Sequence, residues 1–398
     1  MTDEEAGRLE RRARRRRRRY FVIATLVVLV LALGVVAVWY HEVAVPQQRN
    51  LQARVALAEM NIAVGRGDEG QGNRIVFPAE APQAAIGLAM PHLQEIGDVQ
   101  QIVLTGTGVH DLSPLSGQRE LRWLDVSETG VTDLGPIANL PRLKVLDISR
   151  SAVFDLSPLS GNGPLEWLDI SGTAVSDLSP LEGLQSLSAL YLSDSRISDV
   201  SPLARVQSLQ ELDLSGTGVS QLDSLSGLSS LRQLALAKTS VADLTPLAQL
   251  TSLQGLDLSQ TPIDDLTPLS GLPLLGGLDL EDTQVSDLAP LSEMKQLQRL
   301  LLARTGVSDL APLANLDSLD WLGLSRTNVA DVAPIAGMTS LEVLDLSHTP
   351  VADVSALSAL PSLETLDLSN TLVSVESLDA LKKSLSGKTQ GELSIVGP

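Results

Sequence analysis

Side chains that commonly perform chemistry are few or scattered in this sequence. Its 398 residues include no cysteine and four histidines, which are His41, His92, His110 and His348. The histidines are too far apart for the spacing of metal ligands, and a chain without cysteine has no thiolate nucleophile and no disulfide. Ser and Asp are abundant at fixed intervals, so a Ser-His-Asp combination would carry no information. No glycine-rich phosphate loop is evident, and we expect no enzyme activity, cofactor or metal.

The aromatic residues are better candidates for a functional role, since they recur at one place in a repeating pattern. Trp123, Trp167 and Trp321 share one position of the repeat, and Tyr191 lies two positions later in its own copy. Val145 stands between the first two tryptophans in the repeat order, which predicts a row on one surface. Exposed Trp on a rigid surface is typical of binding hot spots. The alternative is that these rings lie flat over their neighbours and only shield the sheet.

A column of aspartates accompanies this row. Asp125, Asp147 and Asp169 follow the three row positions by two residues each. Later repeats carry the same residue at Asp213, Asp257, Asp279, Asp345 and Asp367. Like charges at a strand spacing of ~5 Å repel, so the column would attract cations or a basic partner. The alternative, which we favour for the later members, is that Leu-Asp-Leu-Ser is a common soluble form of such a strand.

A smaller cluster combines basic and apolar residues further along the chain. It consists of Arg299, Leu301, Arg304, Trp321 and Arg326. Because guanidinium groups pair with carboxylates and stack on aromatic rings, this cluster could hold an acidic or glycan ligand.

The elements that position these residues come from an internal repeat of 22 residues. Units begin at 99, 121, 143 and every 22 residues up to 363; twelve are complete and the thirteenth is atypical. A fixed period of this length is the signature of a solenoid. In the unit that begins at Leu165, the alternation of Leu168 and Ile170 predicts a short strand with one buried face. The "DLSPL" that follows predicts a turn, and the few remaining residues fit a 3₁₀ turn.

The pattern resembles the internalin-like leucine-rich repeats of bacteria, on the strength of the period and the "DLSPL" turn. The resemblance implies an α/β solenoid, curved and right-handed, with a parallel β-sheet on the concave face and short 3₁₀ or helical turns on the convex face. That family usually has Asn at the ninth position, where it bridges adjacent turns. Here eleven units have Thr, and two have Ser151 and Ser195. We expect the hydroxyls to keep a thinner ladder between turns.

Both ends of the repeat array depart from the pattern. Residues 77–98 are expected to cap the first unit, and the repeats extend over 99–384. The last unit lacks the Asp-x-x-Pro turn, and "ESLDALKKSL" predicts a helix there. Residues 385–398 contain "GELSIVG" and are expected to add a final strand. Such caps cover apolar surface and strand edges that a bare solenoid would expose.

The N-terminal segment has the pattern of a membrane anchor. The charge is +5 over residues 1–20 and −24 over the remainder, and no charged residue occurs from 20 to 40. Twenty-one apolar residues make a helix of roughly 30 Å, one hydrocarbon thickness, with aromatic residues at both ends. The Arg-rich residues 1–19 should stay cytoplasmic, which sends the repeats across the membrane. A cleaved signal peptide is the alternative.

Residues 41–76 connect this segment to the repeats. Apolar residues at Leu51, Val55, Ala58 and Ile62 predict a juxtamembrane helix. The stretch "GRGDEGQGN", residues 65–73, has the composition of a flexible linker.

Together these features predict a single-pass membrane protein that binds a partner protein through the concave face of its repeats. The repeats would be periplasmic or extracellular in a bacterial cell envelope, and the partner could be basic. Nucleic acid is not expected, because topology and lipid contact explain the Arg block more simply. The alternative is a structural spacer, or a tether that binds cell wall or glycan without a specific protein ligand.

Overall fold

A computed structural model describes residues 29–67, 72–385 and 394–397. Its described residues form one sheet of sixteen strands whose spatial order follows the chain. The strands, β1 to β16, are Ala63–Arg66, Asn73–Val76, Val99–Val103, Trp123–Asp125, Val145–Asp147, Trp167–Asp169, Ala189–Tyr191, Glu211–Asp213, Gln233–Ala235, Gly255–Asp257, Gly277–Asp279, Arg299–Leu301, Trp321–Gly323, Val343–Asp345, Thr365–Asp367 and Ser394–Val396. The predicted leucine-rich-repeat solenoid is confirmed.

Strand pairing follows the repeat. From β3 to β15 each strand pairs in parallel with the next, so that Trp123 lies opposite Val145 and Val145 opposite Trp167. Asp125, Asp147 and Asp169 are aligned in the same register. Since corresponding residues of successive units lie side by side, any residue type that recurs every 22 positions becomes a row on the surface.

The core runs the length of the solenoid. In the unit that begins at Leu165, the side chains of Leu165, Leu168, Ile170 and Val175 are fully buried, as the repeat pattern predicts. Short 3₁₀ helices line the opposite side, at Ser113–Leu115, Gly135–Ile137, Ser157–Leu159, Ser179–Leu181, Ser201–Arg205, Asp223–Leu225, Thr245–Gln249, Thr267–Leu269, Ala289–Leu291, Ala311–Leu313, Ala333–Ile335 and Ser355–Ala359. The helix Asp223–Leu225 forms without the usual proline, so burial of Leu225 suffices there.

The expected hydroxyl ladder at the ninth position is wrong. Thr129 donates its hydroxyl hydrogen bond to the carbonyl of Val126 within its own unit, at 2.6 Å. Ser151 does the same with Ile148, whereas the hydroxyl of Ser195 has no partner. A hydroxyl is too short to bond its own turn and the next one as an amide does. Adjacent turns are instead joined by backbone hydrogen bonds.

The residue at the eighth position of each unit makes these backbone hydrogen bonds possible through its conformation. The residues at this position have a positive φ in every unit, for example 56° at Glu128 and 67° at Gly106. The left-handed turn aims the Glu128 N–H at the carbonyl of Ser149 in the next unit, at 2.9 Å. Ten of the thirteen residues at this position are not glycine, although the conformation costs an L-residue about 1 kcal/mol or more.

The N-terminal helix α1, Leu29–Glu59, is continuous and contains a π-helical segment at Tyr40–Ala44. The predicted juxtamembrane helix is present, but Leu51, Val55 and Ala58, from which it was predicted, do not form its buried face. Leu51 and Val55 are exposed, while Ala53 and Leu57 pack into the core. The small Ala53 permits close approach to the second helix, α2, Gln83–Ile96. Residues 1–28, which include the expected cytoplasmic tail and half of the expected anchor, lie outside the described residues.

The expected flexible linker is also wrong at both of its ends. Residues 63–66 and 73–76 are antiparallel strands β1 and β2, and β2 pairs in parallel with β3. A polar network fixes this hairpin to α1. Arg54 donates to the side chains of Asn50 and Asn73, and Asn73 donates to the carbonyl of Gly97. The hairpin and α1 therefore cover the first edge of the repeat sheet.

At the other end of the solenoid the last unit ends in an α-helix. Helix α3, Val375–Leu385, buries Leu378, Leu381 and Leu385 against the final units. Strand β16 pairs with β15, although its Ser394, Ile395 and Val396 are incompletely buried. The terminal helix and strand lie where the sequence predicts them.

Candidate binding site on the concave face

The concave face is the side of the sheet that carries the third and fifth residues of each unit. In β4 Leu124 points into the core and is fully buried, while Trp123 is 37% exposed. This alternation is that of any strand with one covered face. Every side chain on the concave face is therefore held by a backbone that is fixed from both sides.

The aromatic residues form a cluster on this face. Trp123 and Trp167 flank Val145 across three adjacent strands. The rings of Trp167 and Tyr191 are in contact, with centroids 5.4 Å apart and planes tilted by 46°. We refer to Trp123, Val145, Trp167 and Tyr191 as the aromatic cluster. Because the rings of Trp167 and Tyr191 pack together, these two side chains have little freedom left to lose on binding.

Tyr191 also has a polar partner. Its hydroxyl donates a hydrogen bond to the carboxylate of Glu211 on the next strand. Burial and this hydrogen bond raise the pKa of Tyr191 to about 12, so the phenol stays protonated at neutral pH. Glu211 thereby fixes the orientation of the ring that ends the aromatic cluster.

The aspartate column has a structural role in every unit that contains it. The Oδ1 atom of Asp125 accepts a hydrogen bond from the backbone N–H of Ser127, and Asp147 and Asp169 do the same two residues ahead. Later members such as Asp257 form the same bond. The second carboxylate oxygen is not used by this turn. Burial raises the pKa of Asp147, and the charges of Asp125 and Asp169 add to the rise.

The basic cluster is divided by the fold. Arg299 lies over the ring of Trp321, 4.5 Å from its centroid, on neighbouring strands of the concave face. Arg304 instead lies in the turn after its strand and forms a two-point ion pair with Asp282. Arg326 occupies the same left-handed turn position in its own unit. Arg299 and Trp321 can therefore contact a ligand together, whereas Arg304 is already paired.

A groove lies between the aromatic cluster and the Arg299–Trp321 pair, and it was not predicted from the sequence. It has a volume of about 370 Å³ and runs from Tyr191 to Arg299 across six strands. Its floor is low because the third residue of two successive units is glycine, at Gly255 and Gly277. The glycines were visible in the sequence at positions where other units have larger side chains. Their effect depended on the strand register, which places them side by side.

The described residues contain no group of three or more His, Asp or Glu side chains that could hold a metal ion. The concave carboxylates accept backbone hydrogen bonds within turns, and the hydroxyls of Ser127 and Ser149 also donate to Asp125 and Asp147.

Comparisons with known proteins agree with the fold. A family model described as leucine-rich repeats, two copies, matches residues 339–383. An internalin of Listeria monocytogenes is 25% identical with a TM-score of 0.70, over 77% of this chain and 89% of that one. A leucine-rich-repeat protein of Leptospira interrogans is 18% identical with a TM-score of 0.67, over 77% of this chain and 86% of that one.

A plant peptide hormone receptor, solved in complex with its peptide, shares the fold at 19% identity. Its TM-score is 0.58, over 70% of this chain and 49% of that one. A search of curated protein sequences gave no match. Folds of this kind are typically binding scaffolds without catalytic activity. The 22-residue units, the parallel sheet and these matches show that the chain is built of leucine-rich repeats similar to those of internalins.

Proposed function

We propose that this protein is anchored in a membrane by its N-terminal helix and binds a partner protein through the concave face of its repeats. The observation that carries this proposal is the aromatic cluster. The Trp167 and Tyr191 rings are in contact at 5.4 Å, and Trp123 is exposed two strands away. Packed aromatic rings on a rigid surface are the side chains that contribute most to protein interfaces.

The same face offers polar contacts around the rings. Asp125 and Asp169 each follow a tryptophan on the same face. The second carboxylate oxygen of Asp169 lies outside its turn bond, whereas that of Asp125 accepts a hydrogen bond from the Thr105 hydroxyl at 2.6 Å. An apolar centre with charged neighbours is the usual composition of a protein interface. Binding of this kind needs no catalytic residue, and we propose a non-enzymatic role.

Helix α1 supports membrane anchoring. The apolar part of the helix is exposed on all sides, with Leu29, Val35 and Trp39 among the exposed residues. The helix Leu29–Glu59 is long and apolar enough to cross a membrane. A signal sequence near the N-terminus passes the same test of length and composition. The buried contacts of Ala53 and Leu57 join the helix directly to the solenoid, so no flexible stalk separates the two.

The topology can be tested with single cysteines, because the chain has none. In spheroplasts of a bacterial host, a membrane-impermeant maleimide should label Ser160→Cys, at an exposed outer turn, and leave Thr2→Cys unlabelled until lysis. Labelling of Thr2→Cys in intact spheroplasts would contradict the orientation. Release of the repeats into the soluble fraction would favour a cleaved signal peptide.

Partner binding is tested with the full chain in detergent, incubated with envelope extract. The Trp123→Ala/Trp167→Ala double variant should lose a partner that the parent retains, by about tenfold or more in recovery. Phe154→Ala is the matched control, because Phe154 is a ring 64% exposed outside the concave strands. Equal recovery by parent and double variant would favour the spacer or tether.

A further inference from the structure

The groove on the concave face lies beyond the aromatic cluster and has a different character. Gly255 and Gly277 pair directly on strands β10 and β11, with Gln233 on one side and Arg299 on the other. All four are third-position residues. The Gln233 side chain lies over Gly255, so the open part of the groove floor is at Gly277, next to Arg299. A methyl group at Gly277 would meet no atom within 4 Å, so the space above this residue is open.

The walls of the groove are well defined. Tyr191 and Glu211, joined by their hydrogen bond, form one end. Arg299, held over the ring of Trp321, forms the other. Both ends are fixed by a side-chain partner, and the Gln233 side chain covers the floor at Gly255 between them.

The groove continues over the edge of the sheet. A second depression of about 450 Å³ shares Gln233, Gly255, Gly277 and Arg299 with it and is lined further by Gln254, Gln296 and Gln298. The combined depression is open to solvent rather than enclosed. An enclosed pocket suits a small molecule, whereas an open channel bordered by amide side chains suits an extended chain whose backbone needs hydrogen-bond partners.

The charge of the groove is strongly negative. Its lining has four carboxylates, of Glu211, Asp213, Asp257 and Asp279, against the single guanidinium of Arg299. Asp257 and Asp279 lie directly opposite each other on paired strands. Each uses Oδ1 to accept a backbone N–H, which leaves one oxygen free to face the groove. No Lys or Arg of the described residues forms an ion pair with either one.

We propose that this groove binds an extended peptide segment of the partner protein and seats a Lys or Arg side chain over Gly277, with its cationic end between Asp257 and Asp279. Shape and charge complementarity carry the assignment. The assignment rests on the proposed function, because it gives the partner protein a second contact on the concave face. It goes further by naming the chemistry of that contact. A resident metal ion would need a set of ligands that the described residues do not provide.

The electrostatics of the floor agree with a cationic occupant. Burial raises the pKa of Asp279 to about 6, and the charges of Asp257 and Glu281 contribute to the rise. Two carboxylates one strand apart in a half-buried site repel each other, and a bound ammonium or guanidinium removes that repulsion while forming charge-assisted hydrogen bonds.

The test uses the full chain in nanodiscs of phosphatidylcholine, a zwitterionic lipid that does not itself attract basic peptides. A displayed library of random dodecapeptides is selected on the parent and on variants. Gly277→Tyr fills the groove, and Thr365→Tyr adds the same ring at an exposed third position on β15. Asp257→Asn/Asp279→Asn removes two charges and keeps the turn acceptors. Asp345→Asn/Asp367→Asn does the same at an equivalent pair of strands.

The expected result is that peptides recovered on the parent are enriched in Lys or Arg. A recovered peptide should bind Gly277→Tyr and Asp257→Asn/Asp279→Asn about tenfold or more weakly, and both controls as tightly as the parent. Replacing its basic residue by norleucine should have the same effect. Peptides without basic enrichment, or equal affinity for Gly277→Tyr and the parent, would overturn the assignment.

The two proposals fail in different ways. If the Trp123→Ala/Trp167→Ala variant loses its partner while Gly277→Tyr retains it, the concave face binds a protein but the groove has no part in it. If neither variant affects any partner or peptide, the concave face is not a binding surface and both proposals are wrong.

Discussion

Six of the thirteen repeat units contain two aspartate turns that share a geometry and differ in electrostatics. In the unit that begins at Leu143, Asp147 on the concave face accepts the N–H of Ser149 at 2.9 Å. Asp155, at the outer turn, accepts the N–H of Ser157 at 2.8 Å. The pKa of Asp147 is raised, by burial first. The pKa of Asp155 is lowered, by its hydrogen bonds to Ser157.

The comparison shows that a hydrogen bond within a turn does not by itself determine whether the pKa of a carboxylate is raised or lowered. The outer turns are open to water, so their hydrogen bonds dominate, and Asp177 and Asp199 show the same lowered pKa as Asp155. At Asp147 and Asp279 the concave turns are half-buried and aligned with like charges, so desolvation outweighs the same bonds. These two carboxylates therefore hold charge at a cost to folding, which a cationic partner would offset.

The largest expected effect concerns Asp279. Its pKa is about 6 in the folded chain, against 3.8 ordinarily. Because the folded state binds this proton more tightly, its contribution to stability is present below the unfolded pKa and is lost as the pH rises through 6. Allowing for solvent screening, Asp279→Asn should add about 1 kcal/mol to the free energy of unfolding at pH 7.5. Urea unfolding in detergent at several pH values measures this.

The difference between the parent and Asp279→Asn should be smaller at pH 4.5 than at pH 7.5 and should disappear below the ordinary pKa of 3.8, where Asp279 is protonated in both the folded and the unfolded chain. A stability difference that stays constant from pH 4.5 to 7.5 would show that the charge of Asp279 is not the cause. Asp345→Asn serves as the control, since it has the same turn bond on a strand outside the groove.

A smaller effect distinguishes the concave aspartate from the outer-turn aspartate of the same unit. At pH 7 Asp147→Asn should stabilise the chain, because it removes a half-buried charge and keeps an acceptor for Ser149. Asp155→Asn should destabilise it, because the lowered pKa of Asp155 means that its charged form is favoured by folding, an advantage lost as the pH falls. Thermal unfolding of the two variants should shift in opposite directions, and shifts of the same sign would remove the distinction.

The smallest effect is that of salt. Raising NaCl from about 0.05 to 0.5 M shortens the Debye length from roughly 14 to 4 Å, which screens repulsion along the concave column. The thermal midpoint of the parent at pH 7 should rise slightly. The rise should be smaller in Asp257→Asn/Asp279→Asn, which lacks two of the charges. An equal response of both chains would show that other charges determine the salt dependence.

Much of the solenoid was predictable because one pattern is repeated so often. The period placed Leu168 and Ile170 in the core and aligned Trp123 with Val145 and Trp167. Side-chain periodicity and strand register are consequences of the same 22-residue spacing. The position of the aromatic cluster followed from it, although its role in binding stays a prediction.

The features that were not predicted from the sequence depend on contacts between segments that share no repeat pattern. The stretch from 65 to 73 has a linker's composition, yet its ends are strands, because they pair with each other and then with β3. Leu51 and Val55 fit a helical spacing, but Ala53 and Leu57 face the core since Asn50 and Arg54 bond to the cap from that side. The groove needed the register of Gly255 and Gly277 to become visible.

The strictly consecutive strand order also bears on how the chain folds. From β3 to β15 each parallel pair joins residues only 22 positions apart, as Gly255 and Gly277 do, in a chain of 398 residues. That ratio corresponds to a relative contact order of about 0.06, below the range of helical bundles and far below that of most sheets. Parallel sheets usually fold slowly because their partners are distant in sequence. This one should nucleate in a few neighbouring units and grow outwards, with a rate set by local steps.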